Sequence, residues 1–142
     1  IIGGESSGGL AVRGHIAGKD GIYSGVLLVE LLAITGKSLS QLYQEIIDKY
    51  GYLYWADADF TMSPARKQEL QDLLFVQNFL PEFGNEIARV SREDGCKVYF
   101  ADGSWVICRF SGTEPLLRMA AESAQKGQAE RYIQAWKQAL GL

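Results

Sequence analysis

The sequence is poor in thiols, in histidine, in positive charge and in long apolar runs. Its two cysteines, Cys96 and Cys108, stand in no paired-thiol or Cys/His spacing, so neither a disulfide framework nor a zinc site is indicated. They read as buried free thiols in a reducing compartment. The single histidine, His15, reads as a surface or packing residue rather than a base. There are 14 Lys and Arg against 17 Asp and Glu, for a net charge of −3. That balance argues against nucleic acid, which asks for a basic face. It also means that an anionic ligand has to be held by a local cluster of cations, not drawn in by a global field. No apolar run approaches the roughly 20 residues that span a bilayer. No basic and then apolar leader opens the chain. The expectation is a cytoplasmic protein with no membrane partner and no nucleic-acid partner. Repeats and low-complexity segments are lacking as well.

What is present is ordinary globular material, 47% apolar and 22% charged. A chain of 142 residues can bury one core, or a small domain plus a fragment. It begins Ile1-Ile2-Gly3 without an initiator Met, as if cut inside a strand. Ile1 to Gly4 reads as a strand end running into a glycine loop, and no element is assigned from Val12 to Lys19. Asp20 is an N-cap for a helix, Ile22 to Ile34, that is apolar nearly all round and ends at Gly36. Ser38 and Gln41 form a capping box for a second helix, with Leu39, Leu42, Tyr43, Ile46, Ile47 and Tyr50 as its stripe. A helix as apolar as the first wants a sheet to pack on. The first 50 residues therefore read as the tail of an α/β/α domain, a strand end and two helices, with exposed apolar surface and self-association expected of the isolated chain.

The second domain, 51–142, reads as an antiparallel sheet of four to five strands with helices packed on one face; the class is α+β. A strand is expected over Tyr52 to Met62. Ser63-Pro64 then opens a helix to about Phe79, with Leu70, Leu73, Leu74 and Gln77 on one face. Strands follow at Ile87 to Arg92, Lys97 to Ala101, Ser104 to Phe110 and Leu116 to Glu122. Asp102-Gly103 marks a hairpin. A last helix, Gln128 to Leu140, points Ala129, Tyr132, Ile133, Trp136 and Leu140 inward. Trp55, Trp105 and Trp136 read as core, and Asp57 and Asp59 as a solvated strand face, with no third metal ligand nearby.

Two stretches carry chemistry. Arg109-Phe110-Ser111-Gly112-Thr113-Glu114-Pro115 lies between two apolar runs. A guanidinium offers a planar fork of donors to two phosphate oxygens. Gly112 lets the backbone turn and an anion come close. Successive loop N–H groups can form a nest, completed by the Ser111 and Thr113 hydroxyls. The other reading is a Ser/Gly/Thr turn closing a hairpin beside a solvated arginine. The second stretch is Gly3-Gly4-Glu5-Ser6-Ser7-Gly8-Gly9. Glu5 can accept from two neighbouring hydroxyls and Ser7 can donate or accept beside it, which suits a vicinal diol. A flexible polar loop is the alternative.

Both stretches resemble loops of the α-D-phosphohexomutases, the phosphoglucomutase/phosphomannomutase enzymes, in the family's order. Arg-x-Ser-Gly-Thr-Glu-Pro followed by Leu-Leu-Arg is similar to the phosphate-binding loop of their last domain. The glycine stretch is similar to their sugar-binding loop, Gly-Glu-x-Ser-Gly. The resemblance covers essentially the whole chain but only the family's C-terminal part: 1–50 matches the third domain and 51–142 the fourth. It implies that Arg109, Ser111, Gly112 and Thr113 grip the non-reacting phosphate and that Glu5 and Ser7 hold sugar hydroxyls. Lys19, in a Lys-Asp-Gly triplet like one whose Lys reaches the phosphosugar, is a further candidate beside the reading of a solvated lysine. Arg118 either assists at the phosphate or pairs with Glu114 or Glu122. Gly9 stands where many relatives have a histidine.

The family's phosphoserine loop and acidic magnesium loop lie in earlier domains, and neither motif occurs in this sequence. By resemblance, then, no catalytic or metal residue is expected here. Mg2+ is bound elsewhere in the parent, and glucose 1,6-bisphosphate is its activator or intermediate. The partners are hexose phosphates and the remaining N-terminal domains. The chain is expected to be the inactive C-terminal piece of a mutase interconverting hexose 1-phosphate and hexose 6-phosphate. The alternative is a non-catalytic phosphosugar-binding module.

Overall fold

In the computed structural model, which describes residues 1–5 and 7–142, the chain folds as two units, Ile1–Gly51 and Tyr52–Leu142. Local capping chemistry sets the helices of the first. Asp20 accepts the N–H groups of Ile22 and Tyr23, both at 3.0 Å, and starts α1 (Gly21–Thr35). Gly36 ends it in the left-handed region at φ 64°, its N–H returned to the Leu32 carbonyl. α2 (Leu39–Tyr50) opens on the expected reciprocal box: Ser38 Oγ accepts from the Gln41 N–H while the Gln41 side chain accepts from the Ser38 N–H. Before them, β1 (Ile2–Gly4) pairs antiparallel with β2 (Leu10–Val12), Ile2 opposite Val12 and Gly4 opposite Leu10. β2 has no counterpart in the sequence reading, because three residues carry no usable periodicity. α1 buries none of its residues; Ile22 is 85% and Ile34 77% exposed. Among the described residues, no single helix is long and apolar enough to cross a membrane.

The second unit is a five-stranded antiparallel sheet in the order β3-β7-β6-β5-β4. Its strands are β3 (Tyr54–Thr61), β4 (Ile87–Ser91), β5 (Cys96–Phe100), β6 (Trp105–Phe110) and β7 (Leu116–Ser123). α3 (Pro64–Gln71) and α4 (Gln128–Leu140) supply Leu70, Ala129, Tyr132, Ile133, Trp136 and Leu140 to one core with Val98, Val106, Cys108, Leu117 and Met119. Alternation explains the division of faces, since residues two apart share a side of the sheet. Cys108, Phe110, Leu117 and Met119 face the core, so Arg109 and Arg118 face away. Both thiols are free and buried, and burial raises the pKa of each. Ser104 ties the β5–β6 hairpin to α4, bonding Tyr132 Oη at 2.8 Å and the Asp102 carboxylate.

Two expectations need correction. The helix from Pro64 does not run regularly to Phe79. Asp72–Val76 forms a π-helical turn, with the Gln77 N–H on the Asp72 carbonyl, and Asn78 at φ 55° ends it. The wider turn shifts the helix phase, so Leu74 is buried but Gln77 is exposed. Arg92 then covers the freed carbonyls of Leu74 and Asn78, at 3.3 and 3.4 Å. The tryptophans also divide. Trp136 is fully buried, whereas Trp55 is 45% exposed and packs edge-on against Trp105 on the sheet face away from the helices. Lys97 lies 3.8 Å over the Trp105 ring there, and Arg89 lies 4.0 Å over Tyr99. β6 is apolar on both faces, so its pattern alone did not say which one meets the helices.

Candidate functional site

In the first unit three of the candidate residues converge. The loop joining β1 to β2 places Glu5 Oε2 within 2.5 Å of Lys19 Nζ and 3.4 Å of Ser7 Oγ. The Lys19 ammonium, by its hydrogen bond and then by its charge, holds the Glu5 carboxyl below the usual carboxylate range. Gly9 makes that approach possible: a Cβ there would overlap Lys19 Cδ, the flexible stem that crosses the loop. His15 bonds Asp20 Oδ2 through Nε2 at 2.8 Å and stacks on Tyr23 with ring centroids 3.9 Å apart. That hydrogen bond, and then the Tyr23 N–H, lower the Asp20 pKa. His15 thus braces the N-cap of α1, in keeping with a packing role.

The Glu5–Lys19 pair has a definite pH signature. A depressed folded pKa means a contribution fully present above the unfolded pKa and lost as pH falls through the folded one. Lys19→Met is therefore expected to raise the Glu5 titration midpoint towards the ordinary carboxylate range in a carboxyl-carbon NMR titration. An unmoved midpoint would show that the ammonium does not rest on Glu5 in solution.

In the second unit, Arg109 on β6 and Arg118 on β7 are direct cross-strand partners. Both are 58% exposed, and Arg118 is also in register with Asp59 on β3. Like charges placed opposite each other are unfavourable unless something compensates. Asp94, from the β4–β5 turn, forms an ion pair with Arg109, its carboxylate 3.0 Å from Nε, and Asp59 stands 3.9 Å from Arg118 Nε. The result is a row in which two guanidiniums lie between two carboxylates. The partner of Arg118 is thus Asp59, not the Glu114 or Glu122 considered from sequence; Glu122 accepts from Trp105 Nε1 instead. Engagement through Nε leaves the Nη groups of Arg109 for another acceptor.

Ser111 to Pro115 close the turn above these arginines. The Ser111 N–H bonds the Leu116 carbonyl at 2.8 Å, and the Glu114 N–H bonds Ser111 Oγ at 3.3 Å. Among the described residues the N–H groups of Gly112 and Thr113 have no acceptor. Gly112 is not in the left-handed region, and a Cβ on it would meet nothing within 4 Å. The turn itself therefore does not require glycine, contrary to one of the two reasons offered for it; open approach to the backbone is the reason that remains. Lys67, on α3, donates to the Ser111 carbonyl at 2.7 Å and the Glu114 carbonyl at 3.2 Å. Sequence reasoning singled out neither Lys67 nor Asp94, because only the tertiary fold brings them to the loop.

Comparison with known families decides the wider identity. Residues 1–50 match the family model "Phosphoglucomutase/phosphomannomutase, alpha/beta/alpha domain III", and residues 61–138 match "Phosphoglucomutase/phosphomannomutase, C-terminal domain". The chain belongs to the phosphoglucomutase/phosphomannomutase family. It is 30% identical over 135 residues to a phosphoglucomutase/phosphomannomutase of Thermococcus kodakarensis, covering 94% of this chain and 27% of that one. It is 29% identical over 133 residues to a phosphoglucosamine mutase of Exiguobacterium, covering 94% of this chain and 25% of that one. The chain thus spans about a quarter of the length of these curated relatives. Two crystal structures share the fold: a phosphoglucomutase/phosphomannomutase family protein of Burkholderia thailandensis and the open form of the phosphoglucomutase pp63/parafusin from Paramecium. The TM-score is 0.62 for both, at 20% and 23% identity; they cover 98% and 99% of this chain, and 27% and 29% of their own.

Proposed function

We propose that this chain is the substrate-gripping C-terminal part of a phosphohexomutase that interconverts hexose 1-phosphate and hexose 6-phosphate through a phosphoserine enzyme. The observation that carries the reading is the pairing of Arg109 with Arg118 across β6 and β7, beside a loop whose Gly112 and Thr113 amides have no acceptor among the described residues. Asp94 and Asp59 offset part of the repulsion between the two guanidiniums, and a dianion bridging them would offset the rest. Arg109, Ser111, Gly112 and Thr113 grip the phosphate that does not react, with Arg118 assisting. Glu5 and Ser7 hold sugar hydroxyls, and Lys19 orients the Glu5 carboxylate. A grip remote from the chemistry is useful because its binding energy positions the reacting hydroxyl. Excluding water matters too, since a phosphoenzyme would otherwise hydrolyse.

Mg2+ and the phosphoryl donor belong to other parts of the parent protein in this reading, with glucose 1,6-bisphosphate as activator or intermediate. The described residues of this chain do not fit a magnesium site. Among the described residues no three carboxylate, histidine or cysteine side chains converge. Asp57 accepts from Trp55 Nε1 at 2.8 Å, and Asp59 lies on Arg118. The curated relatives carry both phosphoglucomutase/phosphomannomutase and phosphoglucosamine mutase names, which supports the hexose phosphate class. Calorimetric titration of the chain should show binding of glucose 1-phosphate and glucose 6-phosphate but not of glucose. A coupled mutase assay of the same sample should show no turnover. Glu5→Gln should weaken the hexose phosphates while leaving inorganic phosphate unchanged. A folded chain that ignores both hexose phosphates would remove the basis of the proposal.

A further inference from the structure

We propose that Lys67 is a positioning residue of the phosphate loop, acting through the peptide that joins Ser111 to Gly112 rather than by touching the ligand. The inference rests on the reading of Ser111 to Pro115 as a phosphate grip. The geometry begins on α3. Ser63 caps that helix, its Oγ accepting from the Arg66 N–H at 3.2 Å, with Pro64 preset in the first turn. Lys67 follows one residue later, half-buried, with Nζ on the Ser111 and Glu114 carbonyls. The loop holds itself by the Ser111–Leu116 and Ser111–Glu114 bonds, and the Met62 N–H adds one from β3's end to the Pro115 carbonyl at 3.0 Å.

A trans peptide is planar, so its C=O and N–H point in opposite directions. The Ser111 carbonyl and the Gly112 N–H belong to one peptide. Lys67 fixes the carbonyl at 2.7 Å, and the Gly112 N–H is thereby turned to the opposite side, where it has no acceptor among the described residues. The other carbonyl it holds, that of Glu114, precedes Pro115, which has no N–H to turn. The action of Lys67 on loop donors is therefore concentrated on Gly112. A charged donor on the carbonyl also polarises the peptide and strengthens its N–H as a donor. Lys67 thus adds positive charge behind the loop and aims one amide out of its front.

The test is amide NMR on the nitrogen-labelled chain, titrated with inorganic phosphate and with glucose 6-phosphate. Wild type should show a phosphate-dependent downfield shift of the Gly112 amide. Lys67→Met should weaken binding of both ligands about tenfold and diminish that shift, with the Gly103 amide, in the far hairpin, unchanged. Lys67→Arg, which keeps two donors and the charge, should recover most of both, and it serves as the informative variant if the methionine protein does not fold. Wild-type affinity and an unaltered Gly112 response in Lys67→Met would overturn the proposal while leaving the phosphate reading intact, as would an arginine variant that folds but behaves like a complete loss. A folded wild type that binds neither ligand would instead remove the phosphate reading, and the proposal with it.

Discussion

Arg109→Ala is expected to weaken glucose 6-phosphate binding by about 10- to 100-fold and to leave the melting temperature unchanged or slightly raised. The first half follows from the loss of charge-assisted hydrogen bonds, worth about 1.5–3 kcal/mol, at roughly tenfold per 1.4 kcal/mol. The second half follows from the surroundings of the residue. Its ion pair with Asp94 has side chains 58% and 73% exposed, so it adds about 0–1 kcal/mol at most. Against that small loss stands relief of the repulsion with Arg118, its cross-strand partner. A structural arginine would give the reverse, lower stability with unchanged affinity. Calorimetric titration beside a thermal melt of the same preparation separates the two, and equal affinity in variant and wild type would end the case for a guanidinium clamp.

The same variant reports on Asp94. With Arg109 gone, Asp94 is left as a carboxylate near the site of a dianion. Removing it as well, in Arg109→Ala with Asp94→Asn, should return part of the lost affinity. No such gain is expected from Asp94→Asn alone, where Arg109 loses the partner that holds its Nε and orients its free Nη groups. Non-additivity of this kind is what contact within a single cluster produces.

The parts of this molecule that could be read in advance are those whose cause lies within a few residues. Asp20, the Ser38–Gln41 box and Ser63-Pro64 each satisfy helix donors from the adjacent turn, so the sequence contains both partners of every bond. The α4 stripe, Ala129 to Leu140, is likewise a local repeat, and all its inward residues are buried. β2 is not legible in the sequence because its pairing with β1 is the whole reason for its existence. Nor is the π-helical turn at Asp72, because a helix pattern does not record a change of phase. For Trp55 and Trp105 the sequence does not distinguish core from surface, because an aromatic strand residue fits either face; here the helices cover the other one. At the site, Arg109, Ser111, Gly112 and Thr113 were legible as a contiguous motif. Lys67 was not, since a lysine in a short polar helix carries no mark of the two carbonyls, far along the chain, that it holds.

Two glycines near the phosphate loop should respond to alanine in opposite ways. Gly95 lies in the turn between β4 and β5 at φ 93°, where an L-residue is strained whatever the space around it. Space is lacking as well. A Cβ would stand 2.5 Å from the Cys108 carbonyl oxygen and 3.0 and 3.1 Å from Cβ and Cα of Arg109. These atoms belong to β6 or its root, so they can retreat only if the Cys96–Cys108 end of the β5–β6 pairing opens. Strain in φ and loss of that pairing together should cost about 3 kcal/mol. At about 4–8 °C per kcal/mol for a domain of this size, Gly95→Ala should lower the melting temperature by roughly 10–20 °C. Hexose phosphate affinity should fall with it, because Asp94 moves with the turn and Arg109 loses its orientation. Gly112 has an unstrained backbone and empty space where a Cβ would go, so Gly112→Ala should melt like the wild type. Its methyl group would instead occupy the approach to the Gly112 and Thr113 amides, and affinity alone should drop. Thermal melts and titrations of the two variants side by side give the comparison. A Gly112→Ala protein that binds glucose 6-phosphate as tightly as wild type would place the anion somewhere other than at this loop.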